Sequence, residues 1–136
     1  MRIVLDTSAL LVSIPRRSPY RVIFDRILDG SLEIAVTQDI LLEYEEKLIE
    51  KTNGIVSANI LEGFANRSNV TLVTVYFNWQ LIEKDPDDNK FVDCYVAAQA
   101  EYLVSNDRHF QVLSTEDFPP VQVVGIEQFV EILQEK

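Results

Sequence analysis

Five short apolar runs punctuate the chain, "RIVLD" (Arg2 to Asp6), "LEIAV" (Leu32 to Val36), "VTLVTV" (Val70 to Val75), "EYLVSND" (Glu101 to Asp107) and "VQVV" (Val121 to Val124). Between them the hydrophobic period changes from the two or fewer of a buried strand to the 3.6 of a helix. In "SPYRVIFDRILDG" the apolar Val22, Ile23, Ile27 and Leu28 recur at helical spacing and Gly30 is the stop signal. Thr37 is the expected N-cap of "QDILLEYEEKLIEK", whose Ile40, Leu41, Tyr44 and Leu48 form one apolar face. Further helices are expected at about Val56 to Arg67, in "NKFVDCYVAAQA", and in "GIEQFVEILQEK" at the end. Strands separated by helices need crossover connections, which parallel sheets have. The class is therefore α/β: a three-layer α/β/α sandwich around a central five-stranded parallel sheet, with residues 1–136 expected as one domain.

Ligands of an open parallel sheet bind outside the carboxyl ends of its strands. Asp6 follows the first strand and Asp107 the fourth, so both fall at that edge. Glu43 lies six residues beyond the Thr37 cap, and Asp93 five residues after Asp88, each in a helix that starts at the same edge. Four carboxylates from four segments thus have the means to converge. Unit charges about 4 Å apart repel by roughly 1 to 4 kcal/mol even at high effective dielectric. A divalent cation is the natural reason for such a cluster. Oxygen ligands without Cys or His favour Mg²⁺ or Mn²⁺, and the waters that such an ion retains are candidate nucleophiles for phosphodiester hydrolysis.

Each acid also has a structural explanation. Asp87 and Asp88 are ordinary N-cap candidates, Glu43 shares a charge run with Glu45 and Glu46, and Asp6 or Asp107 could simply begin a turn. Ser8 could orient a carboxylate or bond the turn backbone. Arg16, Arg17, Arg21, Lys90 and Arg108 are the candidates for gripping a phosphate chain, against the alternative of a scattered solubilising set. His109, as the single histidine, rules out a zinc cluster built on several histidines and reads as a surface residue. The lone Cys94 cannot form an internal disulfide; it reads as buried filler, and a reducing cytoplasm is the expected compartment. Twelve Lys and Arg against 22 Asp and Glu give a net charge of -10, which excludes passive, charge-driven adsorption to nucleic acid. No run approaches the roughly 20 apolar residues of a membrane span.

At these residues the chain resembles the PIN-domain ribonucleases, in particular the small prokaryotic branch of toxin components of toxin–antitoxin systems. "RIVLDTSALL" resembles the family's opening strand with its first acid, here Asp6, and "VTQDILLEYEEKL" the segment with its helical glutamate, here Glu43. "DPDDNKFVDCYVAAQAEYLVSNDRHF" is similar to the most specific block, in which an acid four residues before an Ala pair is the third, here Asp93, and a strand-ending acid the fourth, here Asp107. Asp88 stands where this branch often has a further acid. The resemblance implies Mg²⁺ or Mn²⁺ at Asp6, Glu43, Asp88, Asp93 and Asp107, cleavage of single-stranded RNA, an antitoxin partner and a homodimer. Ser8 departs from the Asn that many members carry. A receiver domain is the rival from signalling, but it needs an acid pair near the first strand and a Lys after the fifth. A haloacid-dehalogenase phosphatase needs Asp-x-Asp where this chain has "DTS". A catalytically silent binding module is the third alternative.

Overall fold

The computed structural model describes residues 1–82, 86–115 and 119–135; Asp85 lies outside them. The strands are β1 (Arg2–Leu5), β2 (Glu33–Val36), β3 (Val70–Leu72), β4 (Tyr102–Val104) and β5 (Val123–Val124). They form one parallel sheet in the order β3-β2-β1-β4-β5. The helices are α1 (Thr7–Ser13), α2 (Arg21–Leu28), α3 (Gln38–Lys51), α4 (Gly54–Ala65), α5 (Asn89–Ala98) and α6 (Ile126–Gln134). Short 3₁₀ segments cover Pro86–Asp88 and Arg108–Thr115.

This order makes β1 central, and its Ile3, Val4 and Leu5 are fully buried, which explains a run with no polar alternation. From β1 the chain steps outward to β2 and β3, then returns across the sheet to β4. Right-handed crossovers in opposite directions put their helices on opposite faces. The reversal leaves a crevice between the carboxyl ends of β1 and β4, the topological switch point where open α/β sheets bind ligands. The side chains of Tyr44, Phe91, Phe110 and Phe129 close the core, with Tyr44 edge-on to Phe64 at 6.2 Å and Phe91 to Phe110 at 6.4 Å between ring centroids.

Helix boundaries follow the expected caps. Thr37 accepts from the Ile40 amide at 3.2 Å and Gly30 takes φ +85° just beyond α2. The strands are shorter than the apolar runs, because β3 stops at Leu72 and β4 at Val104, where pairing ends. α5 ends at Ala98 because Gln99 turns left-handed at φ +53°, which lets the Ala100 amide reach the Tyr95 carbonyl at 3.1 Å. α1 has no counterpart among the elements expected from the apolar pattern. Its seven residues are too short for a periodic signal, and Asp6, read as a strand end, is its N-cap.

α6 starts at Gly125, which has no side chain to cap it; Asn106 Oδ1 accepts from the Ile126 amide at 2.9 Å instead. A Cβ at residue 125 would lie 2.9 Å from that same oxygen. Gly125→Ala and Asn106→Ala are each expected to cost about 1 kcal/mol, the size of a lost cap. Because one contact explains both, denaturant titration of the double variant should give well under the sum. Full additivity would show that Asn106 does not cap α6.

Candidate active site

Asp6 leaves β1 and enters α1 with its carboxylate pinned at both oxygens. Oδ1 accepts from the Ala9 amide at 2.7 Å and Oδ2 accepts from the Ser105 hydroxyl, which comes from the end of β4. The Asp6 amide itself donates to the Val104 carbonyl at 3.2 Å, so the acid sits directly on the β1–β4 crevice. It is 6% exposed. Burial raises its carboxyl above the usual range, with the nearby charges of Asp107 and Glu43 adding to the rise and the bonds from Ser105 and Ala9 opposing it.

From the other side of the crevice, Ser105 Oγ also accepts from the Asp107 amide at 2.9 Å, which turns the chain so that Asp107 follows β4 into a 3₁₀ segment. His109 donates its amide to Asp107 Oδ1 at 2.9 Å. Its ring Nδ1 lies 3.4 Å from Asp107 Oδ1 and 3.5 Å from Asp88 Oδ2. Asp88 makes no capping bond at the start of α5. Asp88, Asp107 and His109 each offer a ligand atom within 4.8 Å of the others, the one such group among the described residues. The histidine read as a surface residue therefore stands inside the acidic group, brought there by the turn after β4.

Glu43 reaches the site by a different route. The Tyr44 hydroxyl donates to the Leu5 carbonyl at 2.6 Å, fastening α3 to the end of β1. That brings Glu43 to Thr7, whose hydroxyl donates to Oε2, and to Lys90, whose Nζ lies 2.6 Å from Oε1. Asp93 is buried and accepts from the Trp79 amide at 2.9 Å; burial raises its carboxyl and that bond opposes the rise. It does not join the group of Asp88, Asp107 and His109. Instead it lines an open groove of about 880 Å³ with Glu43, Lys90, Asp39 and Glu46. The helix explains the separation: α5 runs away from the carboxyl edge, and five residues carry Asp93 about 7.5 Å further along it than Asp88.

Among the cations, Arg16, Arg17 and Arg108 are exposed. Arg21 is engaged with Asp25 at 2.8 Å and with the Ile14 carbonyl. Ser8 is exposed, and the tasks foreseen for its hydroxyl fall to Thr7 and Ser105. A Thr directly after the first acid and a Ser two residues before the last were signals open to sequence reading. Cys94 is buried, its thiol pushed up to about 12 by burial.

The family model described as "PIN domain" matches residues 2–109, a span that includes Asp6, Glu43, Asp88, Asp93, Asp107 and His109. The chain belongs to the PIN-domain family. PIN domains are in general nucleases. No curated protein matches the sequence. Among solved structures, this PIN domain is similar to VapBC2 from Rickettsia felis bound to a DNA fragment from its promoter, with TM-score 0.63, 16% identity, and 92% of this chain and 98% of that one covered. DNA-bound VapBC from Salmonella typhimurium matches with TM-score 0.62 and 14% identity over 93% and 98%. The PIN domain of RRP44 from T. brucei matches with TM-score 0.55 and 13% identity over 98% and 80%. At these identities the likeness is one of fold. The receiver and phosphatase alternatives are set aside by the family match. Among the described residues no helix is long and apolar enough to cross a membrane.

Proposed function

We propose that this PIN domain is a divalent-metal-dependent endoribonuclease that hydrolyses single-stranded RNA, and that it is the toxin of a toxin–antitoxin pair. The observation that carries the reading is the convergence of Asp88, Asp107 and His109 within 4.8 Å at the β1–β4 crevice that also holds Asp6. Burial raises the Asp6 carboxyl, the neighbouring charges of Asp107 and Glu43 add to the rise, and a bound cation would relieve it. The donor set fits an ion: two or three carboxylates and one imidazole. Mg²⁺ and Mn²⁺ both suit carboxylates, and the imidazole nitrogen tilts the choice toward Mn²⁺.

Asp6, Asp88 and Asp107 are assigned as the acids that hold the ion, with His109 beside them and Glu43 at its flank. A divalent ion held there would supply Lewis-acid polarisation of the phosphate and make the attacking water more acidic. The chain's own residues set the geometry: Ser105 fixes Asp6 and Asp107 relative to each other, and Tyr44 fixes α3 against β1. Arg16, Arg17 and Arg108 are the exposed cations assigned to the phosphate chain, since a protein of net charge -10 must grip a polyanion locally. Two of the similar structures are VapBC complexes, which supports a protein antitoxin as partner. A homodimer is the proposed assembly, testable by light scattering at tens of micromolar.

Water attacks phosphorus, the P–O3′ bond breaks, and the departing 3′ oxygen takes up a proton. The products are expected to carry a 5′-phosphate and a 3′-hydroxyl. Cleavage of a labelled single-stranded RNA should stop in chelator, resume with Mn²⁺ or Mg²⁺, and leave ends that a 5′-phosphate-dependent exonuclease digests. Cyclic 2′,3′-phosphate ends would mean that the ribose is the nucleophile and would refute the mechanism.

A further inference from the structure

The turn after β4 belongs to two surfaces at once. Asp107 joins Asp88 and His109, and the Ser105 hydroxyl donates to Asp6 Oδ2 while its oxygen accepts from the Asp107 amide at 2.9 Å. The same Ser105 and Asp107, with Asn106 between them, also line a cavity of about 330 Å³. Its apolar walls are Phe110, which is buried, and the half-buried Val121 and Val123. The volume lies at the lower end of the range for small-ligand sites. Two shared residues thus tie this cavity to the acids without any intervening element.

The polar chemistry of the cavity is narrow. Ser105 spends its hydroxyl on Asp6 and Asp107. The first amide of α6, at Ile126, donates to Asn106 Oδ1 at 2.9 Å, so it is not free to take an anion. Gly125, which also lines the cavity, permits that approach, since a Cβ there would lie 2.9 Å from the same oxygen. An Asn side chain has one acceptor end and one donor end. Here the acceptor end is committed to the cap, which fixes the amide plane and leaves Nδ2 as a pure donor. Both ends free would let the group turn to suit either kind of partner; the cap removes that choice.

We propose that this cavity takes an RNA base next to the scissile phosphate, and that Asn106 selects bases with an oxo group, uracil and guanine, over bases with an amino group, cytosine and adenine. The inference rests on the nuclease reading above and deepens it by naming the bases beside which the strand is cut. Unpaired bases are recognised by splaying them from the strand, packing their faces and bonding their edges. Phe110, Val121 and Val123 supply the packing. Nδ2 bonds an oxo oxygen but meets an amino group donor to donor, which is the difference between uracil and cytosine at otherwise equal shape.

Asn106→Asp tests this because it keeps an oxygen for the Ile126 amide and sets a second oxygen in place of Nδ2, turning donor into acceptor at nearly constant shape. Nuclear magnetic resonance of the Val121 and Val123 methyls in Mg²⁺ reads occupancy without cleavage. Uridine 5′-monophosphate should shift both methyls, and ribose 5-phosphate neither. It should bind on the order of tenfold tighter than cytidine 5′-monophosphate, the size of one hydrogen bond made against one left unmade, and in Asn106→Asp that ranking should invert. Sequencing the cut sites in a random single-stranded RNA with Mn²⁺ should show cuts beside uracil and guanine for the wild type and beside cytosine and adenine for Asn106→Asp. Val121→Phe, whose ring fills the cavity, should cut without preference; if it fails to give a cooperative melt, Val121→Leu carries the same expectation. Methyls that uridine 5′-monophosphate leaves unmoved, or a pattern of cuts that Asn106→Asp and Val121→Phe both leave as in the wild type, overturns the proposal while leaving the nuclease intact. Absence of RNA cleavage by the wild type with either ion removes the nuclease reading as well.

Discussion

Asp88→Asn is expected to lower RNA cleavage on the order of 10² to 10³-fold, whereas Asp93→Asn should lower it by less than tenfold. The two acids lie in the same stretch of chain, five positions apart, but they face different surroundings. Asp88 Oδ2 is 3.5 Å from His109 Nδ1 and belongs to the group with Asp107, while Asp93 accepts from the Trp79 amide and lines the outer groove. Loss of one ligand from the metal set should lower kcat/KM on the order of 10² to 10³-fold. It should also remove most of the rise in Tm that Mn²⁺ produces, a stabilisation of about 2.7 kcal/mol when the ion is at 100 times its Kd. Asn at residue 93 still offers an oxygen to Trp79, and it removes a carboxyl that burial raises, so the effect on cleavage should stay below tenfold. Measuring cleavage and Mn²⁺-dependent melting for both variants decides between them. The reverse ranking would return the third acid to Asp93 and sink the assignment made here.

How much of this was legible in the sequence depends on the range of the interaction that fixes each residue. The alternation of apolar runs and helical periods dictates a parallel α/β sheet, and Thr37 and Gly30 mark helix ends, because caps and periods are local. Asp6 and Asp107 could be placed at one edge because a strand end is itself a statement about position in the sheet. Asp93 and Asp88 look equivalent because both sit early in one helix, and nothing local says that Asp88 meets Asp107 and His109 while Asp93 lines the neighbouring groove. His109 looked like a surface residue because its partners, Asp88 and Asp107, meet only after β4 has docked beside β1. The same holds for Ser105, whose bond to Asp6 spans 99 residues of chain. Lys90 is the sharpest case. As a lone Lys in an acidic segment it reads equally as a phosphate grip or as one of a scattered solubilising set, and only the Tyr44 bond that brings α3 to β1 makes Glu43 its partner.

The metal-free protein should be less stable than its core allows, because Asp6 is a buried carboxylate and the neighbouring acids add to the cost of its charge. It is almost fully buried, its carboxyl is raised first by burial and then by Asp107 and Glu43, and its two bonds from Ala9 and Ser105 offset only part of the rise. A folded carboxyl raised above its unfolded value binds protons more tightly when folded. Its contribution is therefore favourable at low pH and is lost as pH rises through the raised value. At neutral pH the charged form opposes folding. Asp6→Asn removes that charge yet keeps an oxygen for the Ala9 amide and an amide group for the Ser105 hydroxyl, so α1 retains its cap. Removing that buried charge is worth on the order of 1 kcal/mol, or several degrees in Tm for a domain of this size. Without metal, Asp6→Asn should melt at the same or a higher temperature than the wild type at pH 7, and the difference should shrink as the pH is lowered. With Mn²⁺ the ranking should invert, because the variant lacks a ligand, and RNA cleavage should fall on the order of 10²-fold or more. A variant that melts lower than the wild type without metal, with no gain from Mn²⁺ in either protein, would show Asp6 to be a structural cap and nothing else.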